Sequence, residues 1–205
     1  MRNLFFITGL FILLQACSDN TSFVVEGHVE NAENKTLYFE FFGLSNTSII
    51  DSVVLDESGK FKFKAPLPEY PDFYRLRLDR QRLFLVVDSQ VHINIKASAE
   101  AFSTGYRVSG SDYCVQMQEL ALLQSNTRRQ YDSIQALFNN KEIEEKAYID
   151  LVLNCIDEHK KQAQGYIFSN PSSPVAYFAL FQRIHKLLIF DPFSEKDNRH
   201  FAAVA

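Results

Sequence analysis

The apolar residues of this chain keep one period up to Gly110 and a different one after it, and that change constrains the fold more than any single motif. Side chains alternate between faces along a strand and recur every 3.6 residues along a helix, so the period reports the element. Phe23, Val25, Gly27 and Val29 alternate with Val24, Glu26, His28 and Glu30; Leu37, Phe39 and Phe41 repeat the pattern, and 48–55 reads as a third strand. Lys60-Phe61-Lys62-Phe63-Lys64, entered through the turn signal Asp56-Glu57-Ser58-Gly59, sends phenylalanines to a core and lysines to water. Tyr74, Leu76 and Leu78 alternate with Arg75 and Arg77; Leu83 to Val87 is continuously apolar and hence more deeply buried; Val91, Ile93 and Ile95, then Tyr106 and Val108, close the series. Short strands at this spacing, broken by Gly, Pro, Asn and Asp, predict an antiparallel sandwich or barrel, of which the sandwich is adopted here.

Past Gly110-Ser111 the spacing becomes helical. Ser111 is placed to cap a helix carrying Val115, Leu122, Leu123, Ile134, Leu137 and Phe138 and ending at Asn139-Asn140. Lys141 to about Phe168 reads as a second helix, with Ile143, Ala147, Leu151, Cys155 and Ile156 near one stripe. Asn170-Pro171 stops it, and Ser173-Pro174 supplies the cap and first turn of a third, expected to run to about Leu188. Ser194-Glu195-Lys196-Asp197 resembles a capping box opening a fourth. The fold class expected is α+β: an N-terminal antiparallel β-sandwich at 23–110 followed by an α-helical region at 111–205. Its apolar last residues, Phe201-Ala202-Ala203-Val204-Ala205, suggest a truncated C-terminus.

Ahead of the strands stands an export signal. Arg2 precedes a largely apolar run from Leu4 to Leu14, short of the roughly 20 residues that span a bilayer. Leu14-Gln15-Ala16-Cys17 resembles the bacterial lipobox, with Gln15 a bulky occupant of its position, and polar Ser18-Asp19-Asn20-Thr21-Ser22 follows at once. The expectation is a lipoprotein signal peptide at 1–16, lipid attachment at Cys17 and a tether at 17–22. Acylation contributes roughly 0.8 kcal/mol per buried CH₂, so the polypeptide needs no membrane-binding surface of its own. Losing 1–16 removes Arg2 and takes the formal charge from -4 to -5. An acidic chain without a Lys/Arg cluster is a poor nucleic-acid partner. Its densest basic stretch, Arg75, Arg77, Arg80 and Arg82, has strand spacing and reads as a solvated face rather than an anion site.

The strand half resembles the N-terminal domain of unknown function of envelope lipoproteins whose C-terminal part is a thioredoxin-like, TlpA-type oxidoreductase. The residues that carry the likeness are Phe23-Val24-Val25-Glu26-Gly27, Asp51-Ser52 before Val53-Val54-Leu55, Gly59-Lys60-Phe61-Lys62-Phe63 and Val108-Ser109-Gly110-Ser111, together with the lipobox. Asn170-Pro171-Ser172-Ser173-Pro174-Val175-Ala176 resembles the linker region that follows. In that family the redox chemistry needs a C-x-x-C at a helix N-terminus, and this sequence has none. The resemblance therefore implies a role beside that chemistry, as stalk, docking surface or presenting module.

Other candidate chemistry is sparse. Cys155 and His159 share a helix face, but two ligands do not make a zinc site; a buried structural cysteine beside a surface histidine is the expectation. In a straight hairpin turning at Asn139-Asn140, Cys155 faces about residue 124, roughly 15 Å from Cys114. That exceeds the ~7 Å limit between Cα atoms, so both thiols stay free unless the first helix kinks near Ser125-Asn126-Thr127. Ser172 and Ser173 lack a G-x-S-x-G setting, and Glu142, Glu144 and Glu145 read as a charged helix face. Tyr38, Phe42 and Tyr74 are candidates for a ligand surface, although core filling explains them more simply.

The leading functional expectation is a non-enzymatic, lipid-anchored module of a Gram-negative-type envelope, the anchoring and recognition part of a thioredoxin-like lipoprotein system. It needs no cofactor or metal; its partners are the membrane, through the lipid on Cys17, and an envelope protein or peptide. Two alternatives remain open: a stand-alone peptide- or glycan-binding lipoprotein, and a fragment of a thiol-disulfide oxidoreductase whose catalytic domain lies beyond residue 205.

Overall fold

A computed structural model describes residues 21–43, 46–89 and 91–204. The signal segment, Cys17 and Ala205 lie outside them. Eight strands come first: β1 (Ser22–Glu30), β2 (Thr36–Phe42), β3 (Thr47–Val54), β4 (Lys60–Pro66), β5 (Asp72–Leu78), β6 (Gln81–Val87), β7 (His92–Ser98) and β8 (Arg107–Ser109). They form two four-stranded sheets, in the orders β4-β1-β7-β8 and β3-β2-β5-β6. Every neighbouring pair is antiparallel except β1 with β7, which run parallel. A parallel pair needs a long crossover, and here the chain between β1 and β7 builds the whole second sheet and β4.

The alternation read from the sequence is the packing of the sandwich. Phe23, Val25 and Val29 of β1, Leu37 and Phe39 of β2, Phe61 and Phe63 of β4, and Leu76 and Leu78 of β5 all point between the sheets. Phe39 is the aromatic centre: it stacks on Phe63 at 5.4 Å and on Tyr74 at 5.6 Å between centroids. Gly27 lies opposite Ile95 in the parallel register. A Cβ at Gly27 would sit 1.9 Å from the Ile95 carbonyl oxygen, so a residue without one belongs there.

β6 explains its own continuous apolar run. Leu83, Leu85 and Val87 fill the sandwich, while Val86 and Phe84 pack on the other side against the helical region. That region comprises α1 (Asp112–Asn139), α2 (Glu145–Ser169), α3 (Pro174–Leu180), a small hairpin of β9 (Arg183–Ile184) and β10 (Leu187–Leu188), and α4 (Asn198–Val204). It packs on the outer face of β5 and β6 through Phe73, Phe84 and Val86, and α1 also closes the sandwich edge formed by β6 and β8. The architecture is α+β with a sandwich-like pair of sheets. No helix among the described residues is long and apolar enough to cross a membrane.

Ser111 caps α1 by accepting the Cys114 amide at 3.3 Å, and Ser173 caps α3 by accepting the Ala176 amide at 3.1 Å. Three boundaries differ from expectation. α2 begins at Glu145 rather than Lys141, because Lys141 takes a left-handed φ of 61° and turns the hairpin. α3 stops at Leu180, not Leu188: the side chain of Gln182 is drawn inward, and His185, at φ 52°, turns β9 into β10. The Ser194–Asp197 segment is a turn rather than a capping box. The Asp197 carboxylate is buried and accepts instead from the Asp191 amide at 2.9 Å and Lys160 Nζ at 2.7 Å.

Candidate functional site: an aromatic cleft between the sandwich and the helices

Where the helices meet β5 and β6, aromatic side chains from both regions converge. Phe42 ends β2; Phe73 and Phe84 project from the outer face of β5 and β6; Tyr177, Phe178 and Phe181 come from α3 and its C-cap. The rings form a connected series. Phe84 meets Phe42 at 5.2 Å and Phe178 at 6.0 Å, Phe178 meets Phe73 at 6.3 Å, and Tyr177 meets Phe181 at 4.7 Å. Together with Gln124, Gln182 and Arg183 they line a cleft of about 480 Å³. Tyr177 is 36 % exposed and Phe181 44 %, so the outer wall of the cleft opens to solvent.

A buried polar network holds the cleft's floor. Gln182 donates through Nε2 to the Leu120 carbonyl at 3.0 Å, which turns its Oε1 toward His159 Nε2 at 2.9 Å. His159 therefore carries its hydrogen on Nε2. Its Nδ1 is the acceptor, 2.8 Å from the Thr127 hydroxyl. This tightness corrects the expectation of a surface histidine: His159 is 1 % exposed. Burial pushes its pKa down, against the upward pull of the Gln182 bond, so the ring is held neutral.

Cys155 lies beside this network, its Sγ 3.7 Å from the Thr127 carbonyl, near the facing position expected from a straight hairpin. Cys114 instead donates its Sγ–H to the Val86 carbonyl of β6 at 3.3 Å. Both cysteines are buried and free. Burial also pushes both thiols up, which lowers the thiolate fraction and with it nucleophilicity. Among the described residues no three His, Cys, Asp or Glu side chains gather as metal ligands.

The three aromatic candidates from the sequence part company. Phe42 joins the cleft; Tyr38 lies under Arg77, whose guanidinium sits 3.9 Å above its ring; and Tyr74 turns into the sandwich core, where burial pushes its hydroxyl up to about 12. Arg75 and Arg77 are likewise not a solvated face. Both grip Glu40, Arg77 Nε at 2.7 Å from Oε1 and Arg75 Nε on Oε2, and Glu40 is 3 % exposed. Burial alone would raise the Glu40 carboxyl, but the two arginines outweigh it and hold the pKa below the ordinary value. Arg80 and Arg82 are exposed, as are Glu142, Glu144 and Glu145; Ser173 does cap a helix.

The sequence reading missed Phe73, Phe84, Tyr177, Phe178 and Phe181. A signal was present: Phe73 and Phe84 sit in phase with the outward arginines of their hairpin, so an apolar residue there announces a covered outer face.

Fold and cleft together define a β-sandwich with an aromatic cleft at its helical junction. Residues 23–113, the sandwich and the start of α1, match the family model described as "Domain of unknown function (DUF4369)". No curated protein matches the chain. Among solved structures, the crystal structure of (S)-allantoin synthase shares 9% identity over 45% of this chain, with a TM-score of 0.32. The chain likewise spans only 45% of that structure's length.

Proposed function

We propose that this chain is a non-enzymatic recognition module of the cell envelope, held to the membrane by lipid on Cys17 and using the aromatic cleft to take an apolar side chain from an extended segment of a partner polypeptide. The cleft carries the reading. Its volume lies within the range of small-ligand pockets, and its walls are aromatic, with a few polar groups at the rim. Rigid rings give contact area at low entropic cost, and the buried Gln182–His159–Thr127 network keeps the floor from collapsing. The exposed Arg183 at the rim suits a backbone carbonyl or carboxylate of the bound segment. Two buried thiols with raised pKa values favour recognition over thiol chemistry in the described region. Placing the module beside a thioredoxin-like lipoprotein system rests on the sequence resemblance, which covers the stretch that the family model matches.

The test is an NMR titration with short peptides carrying a central Phe or Leu. Saturable shifts at Phe73, Phe84 and Tyr177, abolished in Phe181→Ala, are expected. Shifts produced instead by neutral oligosaccharides, with none from the peptides, would reassign the cleft to glycans. For the anchor, mass spectrometry of the exported protein should show acyl chains on Cys17 and none after Cys17→Ser.

A further inference from the structure

The sheet β4-β1-β7-β8 turns its outer face away from the helices, and that face concentrates positive charge on an acidic chain. Strand register puts Lys60 opposite His28, His28 opposite Lys96, and Lys96 opposite Arg107. Neighbouring strands lie about 4.8 Å apart, so this single row crosses the sheet over roughly 14 Å. In the adjacent rows the Glu26 carboxylate is already engaged, with Lys62 Nζ at 3.0 Å and His92 Nε2 at 2.8 Å. Lys60, Lys96 and Arg107 are exposed and make no ion pair among the described residues. Around Lys60 and Lys96 lies a shallow depression of about 570 Å³, lined also by Glu26, His28, Lys62 and Asn94 and reaching Val53 of β3. Acidic side chains bound the face at both ends: Glu30, Glu33, Asp56 and Glu57 beside His28, and Asp88 and Asp112 beside Val91 and Ser109.

We infer that this face docks on an anionic lipid surface, with phosphate-bearing headgroups against the Lys60–His28–Lys96–Arg107 row. Two observations select a membrane over another acidic partner. The row is part of a broad, open sheet face, which suits a planar array of headgroups. The proposal also rests on the Cys17 anchor for its orientation: four residues separate Cys17 from Ser22, the first residue of β1, and the five steps between them reach at most roughly 18 Å. A tether that short holds the Ser22 end of β1 near the bilayer, and the row crosses the same strand six residues further on, at His28. The aromatic cleft, on the outer face of the other sheet, then points away from the membrane, toward partners.

The chain from Ser18 onward retains every residue of both cores and lacks the acylated cysteine, so it isolates the face from the anchor. It is sedimented with vesicles of phosphatidylcholine, alone or containing roughly a third phosphatidylglycerol. Expected is binding to the anionic vesicles only, declining as salt screens the charges. Lys60→Gln with Lys96→Gln should weaken it about tenfold or more, at roughly fivefold per cation near an anionic surface, while Arg80→Gln with Arg82→Gln leaves it unchanged. No binding, equal binding to both vesicle types, or an unaffected Lys60/Lys96 double variant overturns the proposal. So does binding of soluble polyglutamate without binding of anionic vesicles, which would hand the face to an acidic protein. Acylation of Cys17 is read separately by mass: an acylated protein whose Ser18 form ignores anionic vesicles sinks the face alone, and an unacylated one whose Ser18 form binds them sinks the anchor alone.

Discussion

Buried histidines give this molecule a pH response that its surface does not announce. His159 is held neutral by burial, and His200 is too, its Nδ1 donating to the Asp197 carbonyl at 3.2 Å while its Nε2 stays without a partner among the described residues. Both folded pKa values lie below the ordinary 6.5, so below that pH the unfolded chain takes up protons that the folded chain refuses. Stability should therefore be full above about pH 6.5 and fall as the pH drops through the range between the unfolded and folded values. Glu40 acts in the same direction at lower pH, its contribution present above its unfolded pKa and lost as acid reaches the lowered folded one. Urea unfolding at a series of pH values checks this, and His159→Gln should flatten the upper limb of the curve. Gly27 supports a prediction independent of charge. Gly27→Ala forces a methyl against the Ile95 backbone and should destabilise by about 1–3 kcal/mol in chemical unfolding. Gly27 was legible in the sequence only as an inward strand position, and His159 not even as buried. Burial of a polar side chain depends on partners 23 and 32 residues away, which no local pattern encodes.

At the scale of elements, the patterns that local physics dominates were read well, and the ones tertiary contacts override were not. Strand alternation predicted the sandwich because one buried face per strand leaves a period of two, and Ser111 and Ser173 were found because capping needs only a short stretch of chain. α3 was overextended: 183–188 contains apolar residues compatible with a helix, but the inward pull on Gln182 and the left-handed His185 end it. The alternating Arg75 and Arg77 promised a wet face, yet a carboxylate on the neighbouring strand, Glu40, gathers both. Strand partners are what a single sequence conceals. The triad makes its own prediction. Glu40→Gln leaves two closely spaced guanidiniums, largely screened from water, without their counter-charge, and should cost ~2–4 kcal/mol, discounted for the arginines' partial exposure. Replacing Ser111 by Ala removes a single cap bond and should cost about 1 kcal/mol, a smaller shift in the same unfolding assay.

Across the whole molecule the sandwich and the helices are separate cores joined by one seam. The change of period at Gly110 suggests two units, but the seam makes them interdependent: Val86 of β6 belongs to the helical core, while Cys114 of α1 belongs to the sandwich core. Phe73, Phe84 and Phe178 carry much of the seam, and the same rings form the inner wall of the cleft. Cleft and cohesion are thus built from shared side chains, which constrains how the cleft can vary: a change in the inner wall disturbs the seam, and Tyr177 of the outer wall also meets Phe73 at 6.4 Å. Coupling of this kind should make the wild-type chain unfold in one calorimetric transition. Phe84→Ala with Phe178→Ala removes apolar contact on both sides of the seam and should cost about 3–5 kcal/mol for partly buried rings. Because that loss falls on the seam rather than on either core's interior, calorimetry should show the single transition separating into two, the helical region melting first. A variant that merely melts earlier in one sharp transition would mean that the seam is held elsewhere, through Cys114 and Met117 of α1 against β6 and β8.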